Sequence, residues 1–405
     1  MKVGAFYLPS IGSFAEIQKG MAGRRTDLYQ QMLGELSEQI RYMDEQGFYG
    51  VGFTEHHFHI EGEEVSTNPI MLDLYFGMQT RQIKLGQLGL VLPSHNPVRI
   101  AEDIAMLDQM TQGRAFAGFA RGYQPRWVNV LGQQVRGLDG TYGDQDYENL
   151  KKDLYYDHFD IIMKCWQNDA FSHRSRFWQI PAPHTKWAAA EVTRNYGTGI
   201  DDNDELTAIG TVPSTFQKRM PDLFQPFSVS ESSIRWAMEK GLVPVTILTN
   251  TKVAQAQFRA AQEAANAAGR NLKLGEKVGL VREVIVADTD AEAEAIARNG
   301  GSIIWCNFFA PFGFNAAVAA PGEGAFDVPN TFESMAERGL VVYGSADTVN
   351  RKLEKLFKEL PAEYFWMFTY NGLIPQKAMM RHLELMSTKV LPNFTDTIGG
   401  RRKAA

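Results

Sequence analysis

The sequence has 405 residues, with 41 lysines and arginines against 47 aspartates and glutamates and a formal net charge of -6. Its basic residues are scattered rather than clustered, which argues against nucleic acid or an anionic membrane surface as a partner and favours a small molecule. The two cysteines lie far apart, the N-terminus lacks a signal-peptide pattern, and no window approaches the roughly 18 apolar residues of a membrane span, so we expect a cytoplasmic protein.

Short apolar runs alternate with amphipathic stretches along the chain, a pattern typical of parallel βα units. The predicted strands lie at residues 3–8, 49–53, 85–92, 115–120, 223–229, 243–248, 278–287 and 364–368. The predicted helices lie at residues 26–43, 97–113, 147–166, 231–240, 252–268, 289–298 and 346–359. Apolar residues at a spacing of three or four support the helices, and Asn96-Pro97 and Gly47 are typical of a helix start and a helix end.

Residues 177–221 interrupt this alternation. The segment carries an acidic run at 201–205 and several isolated aromatic residues such as Trp187. It is too apolar for a disordered tether, so we predict an insertion that forms a lid or a pocket wall. The sequence therefore predicts an α/β fold in a single domain, residues 1–392. The fold is a (β/α)8 TIM barrel with a long insertion between strands 4 and 5, followed by a flexible C-terminal tail at 393–405.

The second predicted strand ends in Glu55-His56-His57, within the run FTEHHFHIEG. In a TIM barrel the carboxyl ends of the strands form the active site, so one neutral imidazole here, oriented by a carboxylate, is suited to proton transfer. If the backbone stays extended, His57 and His59 lie on one side and His56 on the other, so the three do not converge on one metal ion. We therefore predict no metal site, a proton-transfer role for His56 or His57, and only a loop position for His59 and Glu61.

Two further strand ends are candidates for binding an anion. The fifth strand runs into the turn Ser-Glu-Ser-Ser at 230–233, where a helix begins, and a helix start presents free N–H groups and hydroxyls to a phosphate. The alternative is plain capping, with Ser230 as the N-cap. The fourth strand ends in Arg121-Gly122. The Arg121 guanidinium either donates to a phosphate or forms a structural salt bridge, and Gly122 allows close approach of a ligand.

Three runs of the sequence carry a resemblance to a known family: TEHHFHIEG, GLVLPSHNPVRIAEDIAMLDQMTQGRAFAGFARG and SVSESSIRWAMEKG. They resemble bacterial luciferase and the wider luciferase-like flavin-dependent monooxygenases, most densely over residues 1–132. The resemblance implies a TIM barrel that binds reduced FMN (FMNH2), with which O2 reacts to give a C4a-(hydro)peroxyflavin. One oxygen atom is then inserted into a small organic substrate, and an aldehyde, a ketone and an activated carbon all remain open as its class.

The resemblance also assigns roles to residues of these runs. His56 corresponds to the family's catalytic histidine beside the flavin, with Glu55 or His57 setting its tautomer. Arg121 corresponds to an arginine that contacts the FMN phosphate. The luciferase alpha subunit has a reactive cysteine where this sequence has Ala120, so no role that depends on that thiol is carried over.

Other residues are expected to bind the cofactor. The family often has a non-prolyl cis peptide beneath the isoalloxazine ring, and the corresponding bond here is Leu88-Gly89. The turn after the fifth strand corresponds to the family's phosphate turn. The expected cofactor-binding residues are Leu88, Gly89, Arg121, Ser230, Glu231, Ser232 and Ser233.

The resemblance further implies partners for the chain. Reduced flavin would come from a separate NAD(P)H:flavin reductase, and the helices after the early strands would pair two copies into a homodimer. Three other functions remain open. They are an F420-dependent oxidoreductase on the same barrel, a flavin-binding protein without turnover, and a zinc hydrolase that uses His56, His57 and His59.

Overall fold

The computed structural model describes residues 1–135, 144–217, 220–300, 304–370 and 372–398. The chain forms two compact units. The first, which we call the barrel unit, comprises Met1–Leu90, Phe116–Gly118 and the residues from Asp222 onward. The second, which we call the helical unit, comprises Val91–Ala115 and Phe119–Pro221.

Within the described residues, parallel strands close a barrel. The barrel strands are β1 (Lys2–Leu8), β2 (Gly50–Phe53), β3 (Lys84–Gln87), β4 (Ala115–Ala120), β5 (Asp222–Gln225), β6 (Val243–Thr246), β7 (Gly279–Val286) and β8 (Tyr364–Tyr370). Neighbours in sequence are neighbours in the sheet, and β8 returns to pair with β1. The predicted (β/α)8 TIM barrel is therefore confirmed.

Two predicted strands end earlier than the apolar pattern indicated. The third strand, predicted at 85–92, stops at Gln87, and a separate short strand, Leu90–Val91, pairs with β4 instead. The expected non-prolyl cis peptide lies between the two, at Leu88-Gly89. The fifth strand, predicted at 223–229, stops at Gln225, because Phe227 has a φ of 52° and leaves the extended conformation.

The helices follow the predicted positions closely, with several additional short ones. Their bounds are Phe14–Gln18, Thr26–Gln46, Pro69–Gly77, Pro97–Met110, Pro125–Leu131, Gln145–Gln167, Ala190–Tyr196, Glu231–Lys240, Thr251–Ala267, Asp290–Asn299, Phe332–Glu337, Ala346–Glu359 and Gln376–Leu385. The predicted helix start and helix end have the expected conformations. The Asn96 side chain accepts hydrogen bonds from the first turn of its helix, and Gly47 ends another helix with a φ of 82°. The sequence did not predict strand Val341–Gly344, which pairs in parallel with the last four residues of β7.

Large aromatic side chains fill the barrel because glycines on neighbouring strands leave room for them. The Trp366 ring occupies the place of a side chain at Gly4, and its centroid lies 5.5 Å from that of Phe116. Gly86 faces Phe116 in the same way. The barrel interior is thus a packed core of close to crystalline density, and the site must lie at the ends of the strands.

We expect Gly86→Ala to destabilise the barrel by about 3 kcal/mol, because an added Cβ would lie 2.6 Å from Phe116 Cδ2 and closer still to the Phe116 carbonyl oxygen. A backbone oxygen cannot move aside as a flexible side chain would. The matched control is Gly34→Ala in helix Thr26–Gln46, where a Cβ meets nothing within 4 Å. This control should stabilise by about 1 kcal/mol through helix propensity. Urea unfolding of both variants checks the prediction, and equal stability would contradict it.

The helical unit contains the predicted insertion. After helix Gln145–Gln167 come the antiparallel strands His173–Arg174 and Gln179–Ile180 and a short helix, Ala190–Tyr196. Buried His158 anchors this segment, because its Nδ1 donates to the Leu92 carbonyl oxygen at 2.7 Å and its Nε2 accepts from the Trp178 indole at 2.8 Å. The role of residues 177–221 as a lid or a pocket wall stays a prediction.

The region predicted as a C-terminal tail is packed as far as the structure describes it. The Phe394 ring centroid lies 5.1 Å from that of Phe357, and Ile398 is buried. Residues 399–405 lie outside the described residues. Among the described residues, no helix combines the length and the apolar character that crossing a membrane requires.

Candidate active site

The chain from Thr54 to Ser66, which we call the histidine loop, leaves the carboxyl end of β2. The backbone N–H of His56 donates to the Ser66 carbonyl oxygen at 2.8 Å and closes the loop at its base. The Val65 N–H donates to the Pro9 carbonyl oxygen at 2.7 Å, and the Ile11 N–H donates to the Gly62 carbonyl oxygen at 2.8 Å. These bonds fix the histidine loop against the chain that follows β1.

The histidine loop does not stay extended, because three of its residues adopt positive φ. The φ angles are 65° at Phe58, 107° at Gly62 and 53° at Glu64. The reversal brings the ring of His59 to a centroid distance of 5.7 Å from that of His56. The prediction that these two histidines point to opposite sides is therefore wrong, since it assumed an extended backbone.

A buried carboxylate lies beside both imidazoles. The Oε2 atom of Glu64 is 3.4 Å from His56 Nε2 and 4.0 Å from His59 Nε2. All three side chains are buried. His59 lies in the loop as expected, but it is buried beside His56, which the extended-backbone argument did not predict. Glu64 is a residue that sequence reasoning missed. The sequence shows Glu64 simply as a carboxylate near the histidine run. The conformation of the loop is what brings it beside the two imidazoles.

The other predicted carboxylate serves a different histidine. Glu55 Oε1 lies 2.9 Å from His57 Nε2, and Glu55 is buried. We expected Glu55 or His57 to set the tautomer of His56. The structure instead pairs Glu55 with His57 and places Glu64 at the His56 ring.

His56 is neutral at physiological pH. Burial lowers the pKa of His56 well below its usual 6.5, and the neighbouring His59 and His57 rings lower it further. A neutral imidazole carries one N–H donor and one acceptor nitrogen. His56 can therefore donate or accept a hydrogen bond at a reacting atom without a prior change of charge.

An aromatic segment between β7 and β8 covers part of this region. The Phe308 ring centroid lies 4.8 Å from that of His59. Phe309 and Phe314 pack against Phe368 and Phe227, at 6.2 and 6.0 Å between centroids. The run WCNFFAPFGF at 305–314 is the sequence signal for this segment, and none of its residues was among the predicted site residues. This segment places apolar rings next to the histidine cluster, and apolar rings favour exclusion of water from it.

The serine turn after β5 is capped as the alternative interpretation expected. Ser230 Oγ accepts from the Ser233 N–H at 3.3 Å, at the start of helix Glu231–Lys240. Gln225, another residue not singled out in the sequence, donates from Nε2 to the hydroxyls of Ser228 and Ser233. Glu231 is exposed and pairs with Arg235 at 2.7 Å. Ser232 is also exposed. Binding of a phosphate by residues 230–233 stays a prediction.

Arg121 belongs to the helical unit, directly after β4, and is exposed. Gly122 has a φ of 78°, and a Cβ there would lie 2.6 Å from Val91 Cγ1, so packing within the unit requires glycine. Buried Lys151 donates to the Gly122 carbonyl oxygen at 2.9 Å. Burial lowers the pKa of Lys151; the Glu148 carboxylate opposes this, and the positive charge of Arg121 adds to it. Glu148 Oε1 lies 2.6 Å from Lys151 Nζ and offsets that charge, so Arg121 is the cation of this pair that could donate to a phosphate.

Leu88 fills space inside the barrel beside the cis peptide. A Cβ at Gly52 would lie 2.5 Å from Leu88 Cδ1, so the leucine depends on that glycine. Contact of Leu88 and Gly89 with a cofactor stays a prediction. Within the ranges that the structure describes, no group of three or more histidine, cysteine, aspartate or glutamate residues has a geometry that could hold a metal ion.

A comparison with known families identifies the class of this protein. A sequence profile of the family described as luciferase-like monooxygenase matches residues 11–360. The match spans most of the chain and includes the histidine loop, the serine turn and Arg121. The chain therefore belongs to the luciferase-like monooxygenase family.

Individual relatives agree with this assignment. The chain is 27% identical over 299 residues to 3,6-diketocamphane 1,6-monooxygenase of Pseudomonas putida, which covers 72% of this chain and 74% of that one. The solved structures include the oxygenating constituent of 3,6-diketocamphane monooxygenase from Pseudomonas putida, a type II Baeyer-Villiger monooxygenase in complex with FMN. Its TM-score is 0.73 at 22% identity, over 98% of this chain and 99% of that one.

The same fold also occurs with another cofactor. Coenzyme F420-dependent tetrahydromethanopterin reductase of Methanopyrus kandleri has a TM-score of 0.59 at 14% identity, over 97% of this chain and 99% of that one. At these identities the likeness to solved structures shows the fold alone. The choice of cofactor has to come from the residues of the site.

Proposed function

We propose that this protein is an FMNH2-dependent monooxygenase that inserts one oxygen atom from O2 into a small organic substrate. The single observation that carries the proposal is the neutral, buried His56 at the carboxyl end of β2, beside the Glu64 carboxylate. A TIM barrel places its reactive groups at this end. The family membership supports the reaction type.

The residues present fit FMN. The serine turn opens a helix of ten residues, whose first-turn N–H groups and positive dipole end suit a phosphate. The half-buried rings of Phe227 and Phe314 offer apolar surface for a flavin ring system, and the buried Phe309 ring packs against Phe314. When bound, reduced FMN would supply the electrons with which O2 is activated.

The protein side chains would supply the acid–base and solvent control. His56 would donate or accept a hydrogen bond at the reacting oxygen and move one proton, which is a contribution of about 10² to 10⁴ in rate for a general acid or base. His59 and Phe308 would exclude water on one side of His56. Glu55 would hold His57 in one orientation.

We propose a ketone as the first substrate class to test. The named ketone monooxygenase of Pseudomonas putida aligns over most of this chain, and the solved structure with the 0.73 TM-score is described as a Baeyer-Villiger enzyme. An aldehyde or another activated carbon remains the alternative. A neutral imidazole can donate or accept a hydrogen bond, so His56 fits oxygen insertion next to a carbonyl as well as hydroxylation.

We also propose two protein partners. The Pseudomonas putida structure is the oxygenating constituent of its enzyme, which supports delivery of reduced FMN to this chain by a separate NAD(P)H:flavin reductase. Met71, Tyr75 and Met78 form an exposed apolar stripe along helix Pro69–Gly77 and its end. This stripe supports a homodimer, since the spacing of four and three residues places all three on one helix face.

Titration of the purified protein with FMN, riboflavin and F420 tests the cofactor. We expect FMN to bind at least tenfold more tightly than riboflavin, because only FMN carries a phosphate. Arg121→Ala should weaken FMN binding about 10- to 100-fold and leave riboflavin binding unchanged, since a hydrogen bond to a charged group contributes about 1.5–3 kcal/mol. Quenching of flavin fluorescence measures the flavin affinities.

The control variant is Arg174→Ala, which removes another exposed arginine of the helical unit. It should leave FMN affinity unchanged. Tighter binding of F420 than of FMN would replace the proposal by the F420-dependent oxidoreductase. Equal loss of FMN affinity in both arginine variants would show that Arg121 acts only through net charge.

A further inference from the structure

Glu64 occupies an unusual position for a glutamate. Its side chain is fully buried, and its backbone has a φ of 53°, a conformation that residues with a side chain adopt rarely. The loop is fixed on both sides of it, by the bond from the Ile11 N–H to the Gly62 carbonyl oxygen before it and by the bond from the Val65 N–H to the Pro9 carbonyl oxygen after it. A residue held against its backbone preference beside the histidine cluster motivates a functional hypothesis.

The Glu64 carboxylate faces two imidazoles through one oxygen. Its Oε2 lies 3.4 Å from His56 Nε2, and His59 Nε2 lies 4.0 Å from the same oxygen. An N–H on His56 Nε2 can donate to this oxygen, whereas an unprotonated nitrogen there would set one acceptor against another. A carboxylate only accepts hydrogen bonds, so the nitrogen that faces it carries the proton.

The Glu55 carboxylate, the other one of the cluster, already pairs with His57. Glu55 Oε1 lies 2.9 Å from His57 Nε2, a shorter contact than the one between His56 and Glu64. The two carboxylates thus serve two different histidines. Glu64 is the one whose placement bears on His56.

We propose that Glu64 is the positioning residue of the site: it accepts the Nε2–H of His56, fixes that tautomer, and leaves Nδ1 as the acceptor. The inference rests on the proposed function for its consequence in catalysis, though the tautomer itself is a property of the protein without any ligand. Because a neutral imidazole has one proton, fixing it on Nε2 decides which nitrogen donates and which accepts. His59 shares the carboxylate and closes the cluster on the side of Phe308.

Nuclear magnetic resonance on the native protein tests the tautomer directly. Long-range ¹H–¹⁵N correlation spectra of ¹⁵N-labelled protein at pH 7.5, without flavin, distinguish the two neutral tautomers of each histidine. The His56 signals are assigned by their loss in His56→Gln. We expect the Nε2–H tautomer at His56, and an Nδ1–H tautomer would overturn the proposal.

Variants at Glu64 test whether this residue is the cause. In Glu64→Gln we expect a mixture of both tautomers at His56, FMN affinity within about twofold of the native value, and oxygenation slowed about tenfold or more. Loss of the carboxylate that fixes a histidine tautomer slows a serine protease by about 10⁴. Glu64→Gly also removes the carboxylate, and glycine tolerates the positive φ. The control is Glu61→Gln, an exposed glutamate of the same loop.

The outcomes separate the two proposals. An unchanged His56 tautomer in Glu64→Gln and Glu64→Gly overturns the role of Glu64, whatever the activity. The expected tautomer shift in a protein that does not bind FMN would leave the role of Glu64 intact and refute the proposed function. A shift of the same size in Glu61→Gln would show a general effect of loop charge and would overturn the assignment to Glu64.

Discussion

Replacement of His56 by alanine is expected to slow formation of oxygenated product by about 10² to 10⁴ while FMN affinity changes by less than about threefold. Under the proposed function, the neutral, buried imidazole moves a proton at the reacting oxygen. Without it, activated oxygen should leave as hydrogen peroxide. Consumption of reduced flavin should therefore continue while the fraction of it that yields product falls.

Three measurements on the same samples check this prediction. Product from a bicyclic ketone is quantified by gas chromatography, hydrogen peroxide by a peroxidase-coupled assay, and FMN affinity by fluorescence quenching. The control is His184→Ala, because the His184 side chain is 87% exposed and lies in the helical unit. Unchanged turnover and unchanged peroxide release in His56→Ala would remove His56 from the reaction.

The fold was predictable because local signals and tertiary structure agree in most of the chain. The N-cap at Asn96 and the glycine stop at Gly47 have the conformations that the sequence indicates. The break after Gln87 was invisible in the apolar run 85–92, since the residues on both sides of it are buried. Only the resemblance to the luciferase-like enzymes indicated the peptide at Leu88-Gly89, because periodicity carries no information about a single peptide bond.

The candidate site was predictable only as far as the end of β2. Strand position correctly selected Glu55, His56 and His57 as a cluster at the carboxyl end, where all three lie. Beyond Phe58 the predicted side-chain directions are wrong, because side chains alternate only while the backbone stays extended. The positive φ at Phe58 and at Glu64 is set by the loop's hydrogen bonds to other segments, which no local pattern in the sequence reveals.

Buried histidines also make the stability of this protein depend on pH. His158 and His382 are both buried, and burial lowers the pKa of each to about 4. Each also accepts a hydrogen bond on a ring nitrogen. The Trp178 indole donates to His158 Nε2, and the Val286 N–H donates to His382 Nδ1. Protonation would place a ring N–H against the N–H group that now donates to that nitrogen. Both histidines therefore resist protonation in the folded protein.

The sign of the effect follows from proton binding. Above pH 6.5 both histidines are neutral in the folded and unfolded chains and have no effect on stability. Between pH 6.5 and about 4 the unfolded chain binds protons that the folded chain does not, so the free energy of unfolding falls as the pH falls. From pH 6.5 to pH 5.0 the loss is about 1.6 kcal/mol for each histidine, because the unfolded histidine is only half protonated at pH 6.5.

Urea unfolding at pH 6.5, 5.75 and 5.0 measures this loss. Burial raises the pKa of Asp73 well above its usual value and also raises that of Glu63, and both groups act in the opposite direction. The test therefore compares slopes between variants. His382→Gln should reduce the dependence of the unfolding free energy by about 1 kcal/mol per pH unit across this range, since glutamine does not titrate. His184→Gln should leave the slope unchanged, and equal slopes in all proteins would mean that His382 binds its proton in the folded state.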